Sequence, residues 1–573
     1  MAAGHNEDRS AAGATRRAGT AAALEADSRG VFLTASRGVL RWAGLGVALM
    51  ALIAAGIPGS ARAQTAADSA AALDVVPLDL GEIPPDDVVP MAAHGVEKAL
   101  EALPGAITDI LKRSGVPGAA VAVVYEGKTV FAQGFGEREK DKGVPVDTDT
   151  VFQIASLSKP IAATIAAIQV TAGVVKWDDK VVKYLPDFTL ASPYVTQNAT
   201  IGDFYAHRTG LPLAAGDDLE DIGLDRGGIL TRLHLLPLDA FRTSYHYANF
   251  GITVGAVAVA KASGETWENL AQRALFKPLG MASTSYRYAD FLERRNRATL
   301  HALVGGRFQP LYTRNADAQA PAGGVSSSVN DMTAWMKLVL ASGRDGKEEM
   351  ISRAALVPAL RPQAFSGPAA TLDARSSFYG YGFGVGVNAN GRTAVSHSGA
   401  FALGAATNVQ FLPSANLAIV VLTNAGPVGA AEAIASQFMD IAQFGVLHRD
   451  WYALMHPVLM HYYDPAGDLV GKSPPANAQP ARPLADYVGT YKNDYFGPAE
   501  IRAEGGGLVF HVGPGHFTLP MTHWDGDTFS VAPRDENATE GSLSSLGFVV
   551  KDGKVVSFTV DYLDANGMAT WSR

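Results

Sequence analysis

Apolar runs of strand length stand at the two ends of a roughly 350-residue stretch, and that arrangement limits the fold most. Residues 118–125 (GAAVAVVY) and 128–134 flank Glu126-Gly127, a hairpin signal. Strand-like runs return only at 379–387, 407–412 and 418–423. Between the two groups, and just before the first, apolar residues recur at helical spacing: 96–113, 161–170, 252–262, 267–276 and 331–340. Strands at both ends with helices between them suggest an α/β fold, an antiparallel sheet built from both ends with an all-α region inserted. The Gly-rich run from Tyr379 to Gly386 does not fit G-x-G-x-x-G and reads as one strand with close backbone contacts.

After this α/β part the composition shifts. Residues 446–483, richest in Pro, Ala, Gly and Asn from 464 onward, read as a linker. Residues 484–573 then alternate short strand-like runs (507–512, 517–520, 528–531, 546–551, 555–563) with turn signals such as Asp525-Gly526 and Asp552-Gly553. That rhythm predicts a small all-β barrel whose apolar positions fill its own core.

The start of the chain reads as a leader. Residues 43–57 are uncharged and apolar, follow Arg37 and Arg41, and end at Pro58-Gly59. Fifteen residues fall short of the roughly 20 needed to span a bilayer. Ala61-Arg62-Ala63 supplies a cleavage pattern, so residues 1–63 are a signal peptide cut before Gln64, with an uncleaved anchor as the alternative. Arg16-Arg17 lies too far from the apolar run to mark twin-arginine export, and the start codon can lie later. Residues 64–94, rich in Ala, Asp and Pro, form a tether, and residues 95–445 the first globular domain. The mature protein is expected to be periplasmic or secreted, without a membrane span.

Composition excludes several chemistries. With no cysteine, disulfides, thiolate metal sites and a cysteine nucleophile are ruled out. A net charge of -9 argues against nucleic-acid and anionic-membrane partners. The 13 histidines are scattered, so neither a metal nor any other cofactor is called for. No G-x-S-x-G elbow, H-E-x-x-H helix or Walker loop occurs.

Three short motifs carry the remaining chemistry. Ser156-Leu157-Ser158-Lys159 opens a helical stretch, where Ser156 and Lys159 share a face. A desolvated lysine can take the proton of a serine hydroxyl, and a helix N-terminus favours developing negative charge. Tyr247-Ala248-Asn249 precedes another helix, and a tyrosine near a lysine can have its pKa lowered and shuttle protons; a core tyrosine with a capping asparagine is the alternative. His397-Ser398-Gly399 opens a strand whose Gly lets backbone N–H groups approach a carbonyl.

The order of these motifs, with Phe152-Gln153-Ile154-Ala155, His207-Arg208-Thr209-Gly210-Leu211-Pro212 and Pro321-Ala322-Gly323-Gly324-Val325 between them, resembles the serine β-lactamase-related family. Its branch here holds class C β-lactamases, D-aminopeptidases, esterases and D,D-peptidases. The resemblance implies a β-lactamase/transpeptidase-like fold, with Ser156 as the acylated nucleophile and Lys159 and Tyr247 as the base pair. It makes Asn249 the group that orients the substrate amide. His397, Ser398 and Gly399 stand where the family has K-T-G, and the N–H groups of Ser156 and Ala400 form the oxyanion hole. The barrel resembles the lipocalin-like domain of some family peptidases, which restricts access or mediates assembly, so a homo-oligomer is compatible.

One departure bears on substrate. A family lysine that would anchor a substrate carboxylate is replaced by His397, a poorer anchor near neutral pH. That lowers β-lactamase and D,D-carboxypeptidase activity and raises aminopeptidase, amidase or esterase activity. Asp217, Asp218, Glu220 and Asp221 are candidates to meet a substrate ammonium, a solvated acidic loop being the alternative. The expected substrate is a short linear peptide with D- or unusual residues, linearised microcystin being the family example. A carboxylesterase, or a penicillin-binding or sensor protein that acylates without turnover, are the other readings.

Overall fold

The computed structural model describes residues 90–573 except Ala370 and Ala389. The expected signal peptide and most of the expected tether lie outside the described residues.

The first helix, α1 (Gly95–Ser114), buries Val96, Ala99, Leu103, Ile107 and Ile110 at three- and four-residue intervals, a single apolar stripe. It stops at Gly115, whose φ of 72° continues the chain without a Cβ clash. The hairpin follows as β1 (Gly118–Tyr125) and β2 (Lys128–Gly136). Helices α2 (Ser158–Thr171), α3 (Asp217–Asp221), α4 (Asn249–Ala262) and α5 (Val329–Leu340) belong to the inserted region. The chain then returns through β3 (Ala364–Gly367), β4 (Ser377–Tyr379), β5 (Gly384–Val387), β6 (Thr393–Phe401), β7 (Ala405–Leu412) and β8 (Leu417–Thr423).

These strands form one antiparallel sheet in the order β2-β1-β8-β7-β6-β5-β4-β3. β1 from the start and β8 from the end pair as its second and third strands, in register from Ala119 opposite Thr423 to Tyr125 opposite Leu417. The two-ended sheet is therefore the observed one. The side chains of β1 alternate between two cores: Val121 and Val123 face α1 and the last helices, whereas Ala120, Ala122 and Val124 face the inserted helices.

The run expected as a single strand at 379–387 is instead two strands. The chain turns at Gly380–Phe383, where the Gly380 N–H donates to the Phe383 carbonyl at 2.7 Å. Gly382 has φ 75°, and a Cβ there would sit 2.6 Å from the Lys159 carbonyl. Backbone approach to α2 is thus what the glycines permit, as expected, but at a turn.

The expected linker also contains structure. After α6 (Ala430–Phe444), helix α7 (Trp451–Met460) buries Trp451, Tyr452, Met455 and Leu459 in the core shared by α1 and α6. Irregular chain begins after Tyr463. The C-terminal region is an eight-stranded antiparallel meander, β9 (Gly489–Tyr491) to β16 (Thr570–Ser572). Lys492 and Ser572 exchange both backbone bonds, at 2.7 and 3.0 Å, which closes the sheet into a barrel. Tyr487, Tyr491, Phe510, Phe558 and Trp571 fill the interior with fully buried rings. The barrel is packed, as the sequence predicted.

Candidate active site

Ser156 is presented by a strained turn. Ala155 has φ 48°, a left-handed conformation that costs a non-glycine residue about 1–2 kcal/mol. Side chains hold it there. Ser158 Oγ donates to the Ala155 carbonyl at 2.6 Å and accepts the Val325 N–H at 2.9 Å. Thr407 Oγ1, from β7, donates to the Ile154 carbonyl at 2.9 Å. A single 3-10 turn, Ala155–Leu157, then runs into α2, placing Ser156 half-buried at its head.

Lys159 lies fully buried one turn on. Its Nζ is 2.9 Å from Ser156 Oγ, 2.7 Å from Asn249 Oδ1 and 2.9 Å from the Ala322 carbonyl. Burial pushes its pKa down to about 7, with the nearby Asp217 carboxyl opposing part of that shift. A free amine has two N–H bonds and one lone pair. Asn249 Oδ1 and the Ala322 carbonyl can only accept, so they take both N–H bonds and leave the lone pair facing the Ser156 hydroxyl. That arrangement can deprotonate Ser156 at neutral pH.

Lys159 Nζ stands 4.4 Å from the Tyr247 ring centroid, and the nearby Ser156 hydroxyl tempers the phenol's pKa. The expected lowering of its pKa is not what the site produces. Burial holds the phenol well above its ordinary range, and the Ser156 hydroxyl offsets this only in part. Tyr247 is therefore held as a neutral phenol.

The third motif runs along β6, next to the Ser156 turn. A Cβ on Gly399 would come within 2.4 Å of the Ile154 carbonyl and 2.9 Å of the Ser156 nitrogen. Only glycine allows β6 to lie this close to the Ser156 turn. β5 pairs with Thr393–Ser396 alone. The edge from His397 to Phe401 on that side has no strand partner among the described residues.

His397 is 4% exposed, and both ring nitrogens are committed. Nδ1 donates to the Ser398 carbonyl at 2.6 Å, and Nε2 accepts from the Tyr379 hydroxyl at 2.9 Å. Burial, with Lys159 nearby, holds its pKa down to about 3, so it is neutral. It offers no cation to a substrate carboxylate. Ser398 Oγ points elsewhere, to Asn408 Nδ2 at 2.9 Å and to the buried Glu432.

A family model described as Beta-lactamase matches residues 103–443, more than half of the chain. The chain belongs to the beta-lactamase family, and with it to the serine hydrolases. A second model, described as a domain of unknown function, matches residues 473–571, the barrel. Among curated proteins, the chain is 26% identical over 284 residues to an unguisins hydrolase of Aspergillus violaceofuscus, covering 46% of this chain and 47% of that one. It is 27% identical to penicillin-binding protein 4 of Amycolatopsis lactamdurans, over 54% of this chain and 81% of that one. Thus the chain spans about half the length of the first of these relatives. A solved structure, the octameric penicillin-binding protein homologue of Pyrococcus abyssi, superposes with TM-score 0.53 at 19% identity, covering 82% of this chain and 99% of that one. At that identity the likeness concerns the fold.

Within this family site, the acidic run is not a solvated loop. Asp217–Asp221 forms α3, and its acidic residues are partly buried. Asp217 Oδ2 accepts from Asn249 Nδ2 at 2.9 Å, Glu220 accepts from Arg314 at 2.6 Å, and Asp218 and Asp221 bond the barrel. Asp218, Glu220 and Asp221 are taken up by Tyr495, Arg314 and Asn537, whereas Asp217 keeps a buried Oδ1 without a hydrogen-bond partner.

His207 and Tyr379 were not singled out as functional by the sequence. The His207 ring packs 4.6 Å from that of Tyr247, and its Nδ1 accepts the Ala248 N–H at 3.2 Å. Together they fix the tyrosine and the third motif. His207 stands in the quoted H-R-T-G-L-P run, and its own φ of 56° marks it as specially held. No helix among the described residues is long and apolar enough to cross a membrane.

Proposed function

We propose that this protein is a peptidase or amidase that cleaves short linear peptides through an acyl-enzyme on Ser156. The observation that carries the reading is the arrangement at Lys159 Nζ. Two fixed acceptors consume its N–H bonds, and Ser156 Oγ lies 2.9 Å from the remaining lone pair. Ser156 attacks the carbonyl as Lys159 takes its proton, and Tyr247 relays a proton to the leaving amine. The N–H groups of Ser156 and Ala400 receive the oxyanion. Water then hydrolyses the ester and frees the acid.

The open edge of β6 from His397 to Phe401 suits an extended peptide, which adds as a strand beside Ser398–Ala400. Asn249 then orients its amide. Because His397 is neutral and doubly bonded, recognition does not depend on a terminal carboxylate, which favours internal or amino-terminal bonds over D,D-carboxypeptidase activity. The similarity to an unguisins hydrolase supports hydrolysis as the reaction. We further propose export by residues 1–63, a hydrolase domain over residues 95–445 and a barrel over 484–573.

The test is mass spectrometry of a mixed pool of short L-, D- and cyclic-derived linear peptides incubated with the protein. Cleavage that disappears in Ser156→Ala supports the proposal and shows which bond is cut. Ester turnover without any peptide cleavage would move the assignment to a carboxylesterase.

A further inference from the structure

α3 is five residues long, yet its acidic side chains reach both Asn249 and the barrel. Asp217 Oδ2 accepts from Asn249 Nδ2 at 2.9 Å, and Asn249 Oδ1 then accepts from Lys159 Nζ at 2.7 Å. On the other side the barrel holds the same helix. Tyr495 donates its hydroxyl to Asp218 at 2.7 Å, and Asn537 Nδ2 donates to Asp221 at 2.6 Å. The Gly515 N–H donates to the Ile222 carbonyl at 3.0 Å, directly after the helix. A Cβ on Gly223 would lie 2.5 Å from the Gly515 Cα, so the two backbones touch.

We propose that Asp217 is a positioning residue that fixes the Asn249 amide, and that the C-terminal barrel holds Asp217 in place through α3. The inference rests on the reading of Lys159 as the base. An asparagine side chain can present either its oxygen or its NH₂ to a neighbour, and the two faces differ little in shape. Oxygen toward Lys159 takes an N–H and leaves the lone pair for Ser156. With NH₂ in that place, the amide would donate to the same lone pair and compete with the serine hydroxyl. Asp217 selects the productive face, because its Oδ2 accepts from the NH₂. The barrel, though distant in sequence, therefore sets the proton acceptor of the reaction.

Three variants test this with ester turnover and crystal structures. Asp217→Ala is expected to lower kcat about 10- to 100-fold with KM within about threefold, in line with the loss of one oriented proton-transfer group. Asp217→Asn keeps an acceptor for Asn249 and is expected to recover most of kcat. Tyr495→Phe combined with Asn537→Ala, both in the barrel, is expected to lower kcat severalfold at unchanged KM. In the Asp217→Ala structure the Asn249 oxygen should leave Lys159. Unchanged kcat in Asp217→Ala and in the barrel variant, with the Asn249 oxygen still facing Lys159, would overturn the proposal. A wild-type protein that turns over no ester would instead count against the proposed function, and the position of Asn249 in the variant structure would still decide this inference.

Discussion

Replacing Gly399 by alanine tests how the site is assembled. The new Cβ would sit 2.4 Å from both the Ile154 carbonyl and Thr407 Oγ1, and 2.9 Å from the Ser156 nitrogen. Ordinary contact needs about 3.4 Å or more, so β6 and the Ser156 turn must separate by roughly 1 Å. Neither neighbour yields easily, since the Ile154 carbonyl is backbone and Thr407 is bonded to it. Overpacking of this kind costs about 1–3 kcal/mol of stability. In the proposed oxyanion hole, the same displacement would move the Ala400 N–H away from that of Ser156. Losing one oxyanion donor lowers kcat by about 10²–10³-fold, and a 1 Å misplacement alone by about 10²-fold. The assay is turnover of a p-nitrophenyl ester, with the melting temperature measured in parallel. A Gly399→Ala protein that keeps kcat within about threefold would refute the close approach of β6 to the nucleophile.

Other expectations follow from the same geometry. Because burial lowers Lys159 to about 7, kcat/KM should rise with pH through a midpoint near that value as the free amine appears; a flat profile from about pH 5 to 9 would contradict it. No falling limb from Tyr247 is expected in that range, since burial keeps its phenol protonated. Burial raises Glu432 from 4.5 to about 7, so its contribution to stability is full below about pH 4.5 and lost as pH rises through 7. Glu432→Gln removes that loss, and its melting temperature relative to the wild type should therefore improve between about pH 5 and 8. The opposite trend would show that Glu432 is ionised in the fold.

The sheet was legible in the sequence because its strands are long apolar runs and its two groups are far apart along the chain. Ser156, Lys159, Tyr247 and Asn249 were legible as local motifs, and the structure brings them within hydrogen-bonding or ring contact. What escaped were partners set by long-range packing. Nothing near Asp218 or Asp221 indicates that Tyr495 and Asn537, roughly 300 residues later, would bury them, so α3 read as a possible ammonium site or a solvated loop. The pKa of Tyr247 went the wrong way for a related reason. The lysine beside it was visible in the motifs, but the full enclosure by His207 and Tyr379 was not. The turn at Gly380–Phe383 hid in a run whose alternation suits a strand, because the Lys159 carbonyl that demands it is over 200 residues upstream.

The central claim is that Ser156 is acylated. The most direct test is intact-mass spectrometry of the protein quenched within seconds of mixing with an activated ester, followed by peptide mapping. The account predicts one added acyl group on the peptide containing Ser156, its decay on standing, and no adduct in Ser156→Ala. An adduct on another residue, or an equal one in Ser156→Ala, would contradict it.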